Sequence, residues 1–315
     1  MTTLATVPAA PTRGRTPKRA RLRPAGLLVS YGLLAPSLIM LAVFSYWPAM
    51  QGLAYAFQEV SPGGDSRWVG LANFRRIAGD GILLRACGNM AVLAAADLVK
   101  GTLFPLLAAV LVSRVAGARA RQAYQSAFVF PIVVPGMVAV LLWKDIIYDG
   151  DMGLLNQALS ALGLGAWRAS RLGEHRTALA AVAFGGFPWV TGLGFLVFLA
   201  GLLSIPVSVM ESATVDGVGP VRRFWSIERP LVWTQARLVV VLTLVGTVQN
   251  FGSILLMTGG GPGASTHVPA LHMYYMGFRF DEFGYAAALG FSLFVLIIAV
   301  TALSFAVFRT ERDAA

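Results

Sequence analysis

Long apolar stretches without a single charged residue constrain this chain more than any other feature. Residues 25–58, 122–143, 177–210, 238–278 and 283–308 contain no Asp, Glu, Lys or Arg, and residues 87–112 are interrupted only by Asp97 and Lys100. A helix that crosses a bilayer needs roughly 20 consecutive, mostly apolar residues, so each of the six blocks is long enough to hold one. With 57% hydrophobic and 13% charged residues in 315, the composition departs from that of water-soluble domains in the same direction. The expected fold is all-α, a polytopic integral membrane protein with six transmembrane helices near 26–55, 88–112, 123–146, 178–203, 237–257 and 284–308. Pro36 and Pro48 mark kinks or ends of the first, and the third carries Pro131 and Pro135.

The charges between the blocks set the topology. The chain carries a net charge of +10, but its basic residues are scattered among short loops, which argues against a nucleic-acid face. Residues 1–24, with Arg13, Arg15, Lys18, Arg19, Arg21 and Arg23, read as a disordered basic cytoplasmic tail. The apolar run that follows is too long for the roughly 7–15-residue core of a cleaved signal peptide. Residues 25–309 then form the transmembrane domain, and 310–315 a short cytoplasmic C-terminal tail. Six spans put both termini on one side. Six Lys and Arg in the tail, three after the second span, four around 222–237 and two at the C-terminus make fifteen there, against nine opposite, with Lys100 unassigned. That bias predicts cytoplasmic N- and C-termini, with the 222–237 stretch on the same side. Cys87 is alone, and His175, His267 and His272 have no metal-motif spacing, so neither a metal site nor a catalytic constellation is expected.

Between the fourth and fifth blocks lies MESATVDGVGPVRRFWSIERPL, Met210 to Leu231. Glu211 to Val215 can form a helix, Asp216-Gly217 and Gly219-Pro220 force a bend, and Arg222 to Ile227 can form a second short helix before Pro230. Glu211-Ser212-Ala213, three residues, Gly217, nine residues, Ile227, one residue, then Arg229-Pro230 resembles the EAA loop of bacterial ABC-importer permeases. Asp216 beside Gly217, Phe224-Trp225, WVGLANFRRI after the first span and TGGGPG after the fifth are similar to the carbohydrate branch, which includes the maltose and glycerol-3-phosphate permeases. Ser212 and Arg229 depart from the family's Ala and Leu.

The resemblance implies an ABC-importer permease bundle whose 207–231 loop couples to a separate ATPase. Glu211, Ser212, Ala213, Asp216, Gly217, Ile227 and Pro230 are the implied coupling residues. It implies transport of a sugar or related polyol by alternating access, with no covalent chemistry and no cofactor on this chain. ATP and Mg belong to the partner. The implied partners are a second homologous permease in a heterodimer, two ATPase subunits, an extracytoplasmic solute-binding protein and membrane lipid, with no nucleic acid. The three lysines are followed by Arg, Gly and Asp, so no Walker A phosphate loop is present, which agrees with an ATPase on another chain. GGGPG at 259–263 lacks that Lys too, and reads as a tight turn facing the binding protein or the outer vestibule.

Polar residues inside spans face a cavity or a neighbouring helix. Thr243, Thr247 and Asn250 share a helical face, and Gly185-Gly186-Phe187-Pro188-Trp189 would loosen the fourth span. In the related maltose permease the sugar is held between the equivalents of these two segments, so the resemblance implies Gly186, Trp189, Thr243, Thr247 and Asn250 as the substrate pathway. Helix packing by small and polar residues is the competing account. Asp97 and Lys100, three residues apart, read as an intramembrane salt bridge that locks helices, against an ion relay. An ion-coupled secondary transporter of a small polar solute is the alternative function, though no internal duplication is evident.

Overall fold

The computed structural model describes residues 24–60, 63 and 66–307, with side chains from residue 31 onward. The expected basic N-terminal tail and the C-terminal tail lie outside the described residues, apart from Pro24. The chain divides into two compact units, Met1–Gln51 and Gly52–Ala315.

A helix begins at Pro24 and forms a candidate span from Tyr31 to Tyr55, of which the first unit holds the part up to Gln51. No side chain from Tyr31 to Met50 is buried, and Leu33 and Phe44 are 77% and 69% exposed. A helix apolar on every side is stable in lipid, where its backbone is satisfied internally. Pro36 is accommodated within the helix, and a widened π-type turn, Ala42–Tyr46, ends two residues before Pro48. Pro48 lacks the N–H of a regular ladder, and the wider turn lets the helix run on past it.

The second unit is built on the helical rod Gly81–Ser113. It starts at a well-made cap, where the Asp80 carboxylate accepts the amides of Ile82 and Leu83 at 2.9 and 3.0 Å. Along its length it packs against Trp233–Gln249, Gly192–Leu203 and Pro269–Phe278. Ala108, Ala109 and Val112 of the rod meet Phe195, Phe198, Leu199 and Val239 in the largest buried cluster. In lipid this closeness comes from dispersion and small residues rather than from expelled water. A Cβ at Gly194 would stand 3.2 Å from the Gly101 carbonyl, so the two backbones approach as only glycine allows.

One further continuous span occurs among the described residues. Phe283–Val307 is the last candidate span and packs on Pro269–Phe278 and on the rod's neighbour Trp233–Gln249. Two short amphipathic helices, Ala72–Gly79 and Leu154–Ala161, lie between the spans in the sequence. A small antiparallel ribbon pairs Gln58 with Trp68 and Val60 with Ser66, a detail that the all-α expectation lacks. Asn73 pins it through the carbonyls of Ala56 and Gln58. Gly284 sits so close that a Cβ there would lie 2.0 Å from the Gln58 oxygen.

Three helix pairs are apolar enough to span only when taken together, and each is bent. Ala118–Val133 meets Gly136–Ile147 at 89°, Gly192–Leu203 meets Val207–Val215 at 70°, and Pro220–Leu231 meets Trp233–Gln249 at 70°. Counted with the three continuous spans they bring the described residues to six. The predicted 178–203 span is not one helix. Ala178–Phe184 ends, and Gly185–Thr191 leaves the helical ladder before Gly192. Gly186 at φ 85°, Pro188 and Trp189 at φ 59° account for the break. The predicted 237–257 span breaks likewise, at Asn250 and Phe251.

Candidate functional site

The stretch that organises the sequence folds as a hairpin of two helices. The first, Val207–Val215, begins earlier than the sequence predicts, directly after Pro206. Its end is a Schellman motif: the Gly217 amide donates to the Thr214 carbonyl at 3.1 Å and the Val218 amide to the Ala213 carbonyl at 3.0 Å. Gly217 holds φ 69°, the left-handed value that this motif requires and that other residues adopt only at a cost. Gly219 then precedes Pro220 at the first position of the second helix, where a missing N–H costs nothing. Pro230 does not end that helix. A widened turn, Phe224–Glu228, lets it continue to Leu231, and the 70° bend falls at Val232.

The predicted coupling residues occupy both sides of this hairpin. Glu211, Ser212, Asp216, Gly217 and Pro230 are exposed, Ile227 is half-buried, and Ala213 is buried at the turn. Val215 and Val221, flanking the bend, are 87% and 71% exposed. Arg229, the departure from the family pattern, lies over the rings of Trp225 and Trp233 at 5.1 and 5.5 Å.

Glu228 is the residue that sequence reasoning missed. Its side chain is 2% exposed, and its carboxylate takes Arg114 Nη2 at 2.8 Å and Arg223 Nε at 2.9 Å. Arg114 stands at the end of the Gly81–Ser113 rod and also reaches the Pro220 carbonyl at 3.4 Å. The hairpin is therefore clamped to the rod by charge-assisted bonds at a dry site. A glutamate between Ile and Arg in a basic loop reads as solvated, and no signal in the sequence marks its burial.

Beside the two broken spans lies a cavity of about 210 Å³. Of the residues that the resemblance implies for the substrate pathway, Gly186, Thr247 and Asn250 line it, together with Trp143, Asp97 and Lys100. Thr243 and Trp189 lie outside its lining. Thr243 faces Gly101, where a Cβ would come within 2.8 Å of its hydroxyl, and so packs between helices. Trp189 donates its indole N–H to the Phe184 carbonyl at 2.8 Å and meets Phe104, Phe184 and Phe187 edge to face. Lys100 Nζ and Asp97 Oδ1 are 2.8 Å apart, and Asp97 Oδ2 accepts the Thr247 hydroxyl at 2.8 Å. Asn250 Oδ1 accepts from the Ser253 hydroxyl at 2.8 Å and so holds the start of the helix Gly252–Met257.

At the other end of the rod, the glycine turn and two histidines are tied together. Gly259, Gly260 and Gly263 all hold positive φ, and Asn89 donates to the carbonyls of Ala264 and His267. Asp80 Oδ2 accepts the Tyr285 hydroxyl at 2.8 Å and meets His272 Nε2 at 3.0 Å, while His272 Nδ1 stands 3.2 Å from His267 Nε2. Desolvation opposes ionisation of Asp80, but the Leu83 amide, Tyr285 and His272 together hold it below the usual carboxylate range. Burial, with the neighbouring His272, lowers His267 to about 4. Among the described residues, no group of three or more His, Cys, Asp or Glu is arranged to hold a metal ion.

Comparison with known proteins agrees with this architecture. Residues 101–312 match the family described as binding-protein-dependent transport system inner membrane component. The sn-glycerol-3-phosphate transport system permease protein UgpA of Yersinia pestis is 33% identical over 277 residues, covering 87% of this chain and 92% of its own length. The multiple sugar-binding transport system permease protein MsmF of Streptococcus mutans is 31% identical, covering 86% and 91%. A solved bacterial ABC transporter involved in the import of the acidic polysaccharide alginate shares the fold, with a TM-score of 0.78 at 24% identity over 90% of this chain and 95% of that one. With the family model spanning most of the sequence and both permeases aligned almost end to end, the chain belongs to the binding-protein-dependent transport system inner membrane components.

Proposed function

We propose that this chain is the transmembrane subunit of an ATP-driven importer that moves a sugar or related polyol across the bacterial cytoplasmic membrane by alternating access. The observation that carries the reading is the clamped hairpin. A short, rigid helix pair with an exposed bend, bonded through Glu228 to the central rod, converts a push from below into movement of the spans above. Val215 and Val221 offer the apolar contact and Glu211 and Asp216 the polar rim for an ATPase cleft. The ATPase, with its ATP and Mg, is a separate chain, present in two copies. A second, homologous permease forms a heterodimer with this one, and a solute-binding protein delivers substrate from outside. The excess of Lys and Arg on the hairpin side supports cytoplasmic termini. The named transport systems of the relatives, for glycerol-3-phosphate and for multiple sugars, support the substrate class. Gly186, Thr247 and Asn250 contact substrate on this reading, and Thr243 and Trp189 shape the helices around them.

Copurification of the ATPase and uptake of labelled sugar test the reading in variants of the full transporter. Gly217→Trp and Glu211→Lys are expected to lose both, while Asn250→Ala keeps the ATPase and changes sugar affinity or rate. Loop variants that bind the ATPase and transport normally would overturn it. Uptake that survives deletion of the ATPase would favour an ion-coupled carrier instead.

A further inference from the structure

Among the described residues that line the cavity, only Asp97 and Lys100 are charged. As a lock between helices the pair is poorly placed. Both residues belong to one rod, and a pair three apart on a helix stabilises that one helix, and only weakly. Only the bond from Thr247 to Asp97 reaches another helix. Charges inside a membrane domain are costly unless they face a cavity and serve it, and these two side chains retain 28% and 19% exposure.

The pair suits one ligand chemistry. A carboxylate accepts hydroxyl protons and an ammonium donates to hydroxyl oxygens, so neighbouring hydroxyls of a polyol satisfy both at once. The Thr247 hydroxyl and the Asn250 and Ser253 groups extend this lining, and Trp143 adds an apolar face. The charge balance matters as much. With Asp97 Oδ1 at 2.8 Å from Lys100 Nζ, the cavity carries no net charge. An anion drawn to Lys100 is repelled by the Asp97 carboxylate beside it, which weakens the attraction. We infer that Asp97 and Lys100 bind substrate directly and select neutral polyhydroxylated molecules over phosphorylated or carboxylated ones. The inference rests on the importer reading above and narrows its substrate class.

Saturation-transfer NMR tests it on the full complex of permeases and ATPases in nanodiscs, without the binding protein, using glucose, maltose and sn-glycerol-3-phosphate as probes. The wild-type complex is expected to give signal from the neutral sugars and little from the phosphate. Asp97→Asn leaves Lys100 unbalanced, and should raise the phosphate-to-glucose signal ratio at least about tenfold. Asp97→Glu should restore the wild-type ratio. A wild-type complex that binds the phosphate as well as the sugars, or none of the probes, overturns the inference. So does an assembled Asp97→Asn complex with an unchanged ratio. Should Asp97→Asn not assemble, Lys100→Gln tests the same pair and is expected to lose sugar signal without gaining phosphate signal; unchanged sugar binding there overturns it too. ATPase copurification with the hairpin variants does not involve the cavity, so failure here and failure of the importer reading are separately visible.

Discussion

The clamp at Glu228 makes a quantitative prediction about what holds the hairpin in place. Glu228 is 2% exposed, whereas Arg114 and Arg223 keep 29% and 26%. Removing Arg114 leaves the buried carboxylate with one guanidinium, and a hydrogen bond to a charged group contributes about 1.5–3 kcal/mol. Since 1.4 kcal/mol is a factor of ten, Arg114→Ala should raise the open population of the 220–232 segment roughly 10- to 100-fold. Removing both arginines strands the charge, which costs about 3–5 kcal/mol at a buried pair. Removing the acid is milder. In Glu228→Met the two arginines, already a quarter exposed, swing to water, and the methionine fills the space. Amide hydrogen exchange of the nanodisc complex reads the order: wild type slowest, then Glu228→Met, then Arg114→Ala, then the double variant. Sugar uptake should decline in the same order. An Arg114→Ala hairpin that exchanges like wild type, or a Glu228→Met hairpin looser than the double variant, refutes the reasoning.

Two further outcomes follow from the opposite end of the rod. The lowered His267 binds a proton in the unfolded chain near its ordinary 6.5 but in the folded chain only near 4, so stability falls as pH drops through that interval, by up to about 1.4 kcal/mol per unit. The lowered Asp80 adds stability that is present above its unfolded value of 3.8 and lost only below it. Thermal melts of the complex between pH 7 and 4 should therefore slope downward, and His267→Gln should flatten them; an unchanged slope assigns the effect elsewhere. Gly284→Ala should push the Gln58–Val60 strand away and cost about 1–3 kcal/mol, seen as a lower melting temperature and earlier protease cleavage near the ribbon.

The parts of this fold legible in the sequence are those set by local chemistry. Uncharged blocks of sufficient length identify the spans, and Asp216-Gly217 with Gly219-Pro220 identifies the hairpin, because those residues dictate backbone geometry wherever they stand. Pro230 misleads for the same reason: its own chemistry favours a break, yet the widened turn before it absorbs the missing hydrogen bond and moves the break to Val232. What depends on neighbours is not legible. The spacing of Thr243, Thr247 and Asn250 puts them on one face, but Gly101 claims Thr243 for packing and leaves the others to the cavity. Trp189 is implied as a pathway residue, yet at the positive φ of its break it joins an aromatic cluster, while Trp143 lines the cavity from another helix. Glu228 resembles any surface acid until Arg114, more than a hundred residues earlier, is brought beside it.

The break in the fourth span has a consequence for how specificity is encoded. Gly185 and Gly186, where the main chain leaves its helical ladder, line the cavity with no side chain to offer, so part of the wall is peptide backbone. Alanine scanning cannot erase such groups, since every residue type but proline supplies the same ones. A map of transport built from side-chain substitutions alone would therefore show a site with too few contacts. Related permeases could change cargo by shifting where the helix stops, with hardly a change in the residues that face it.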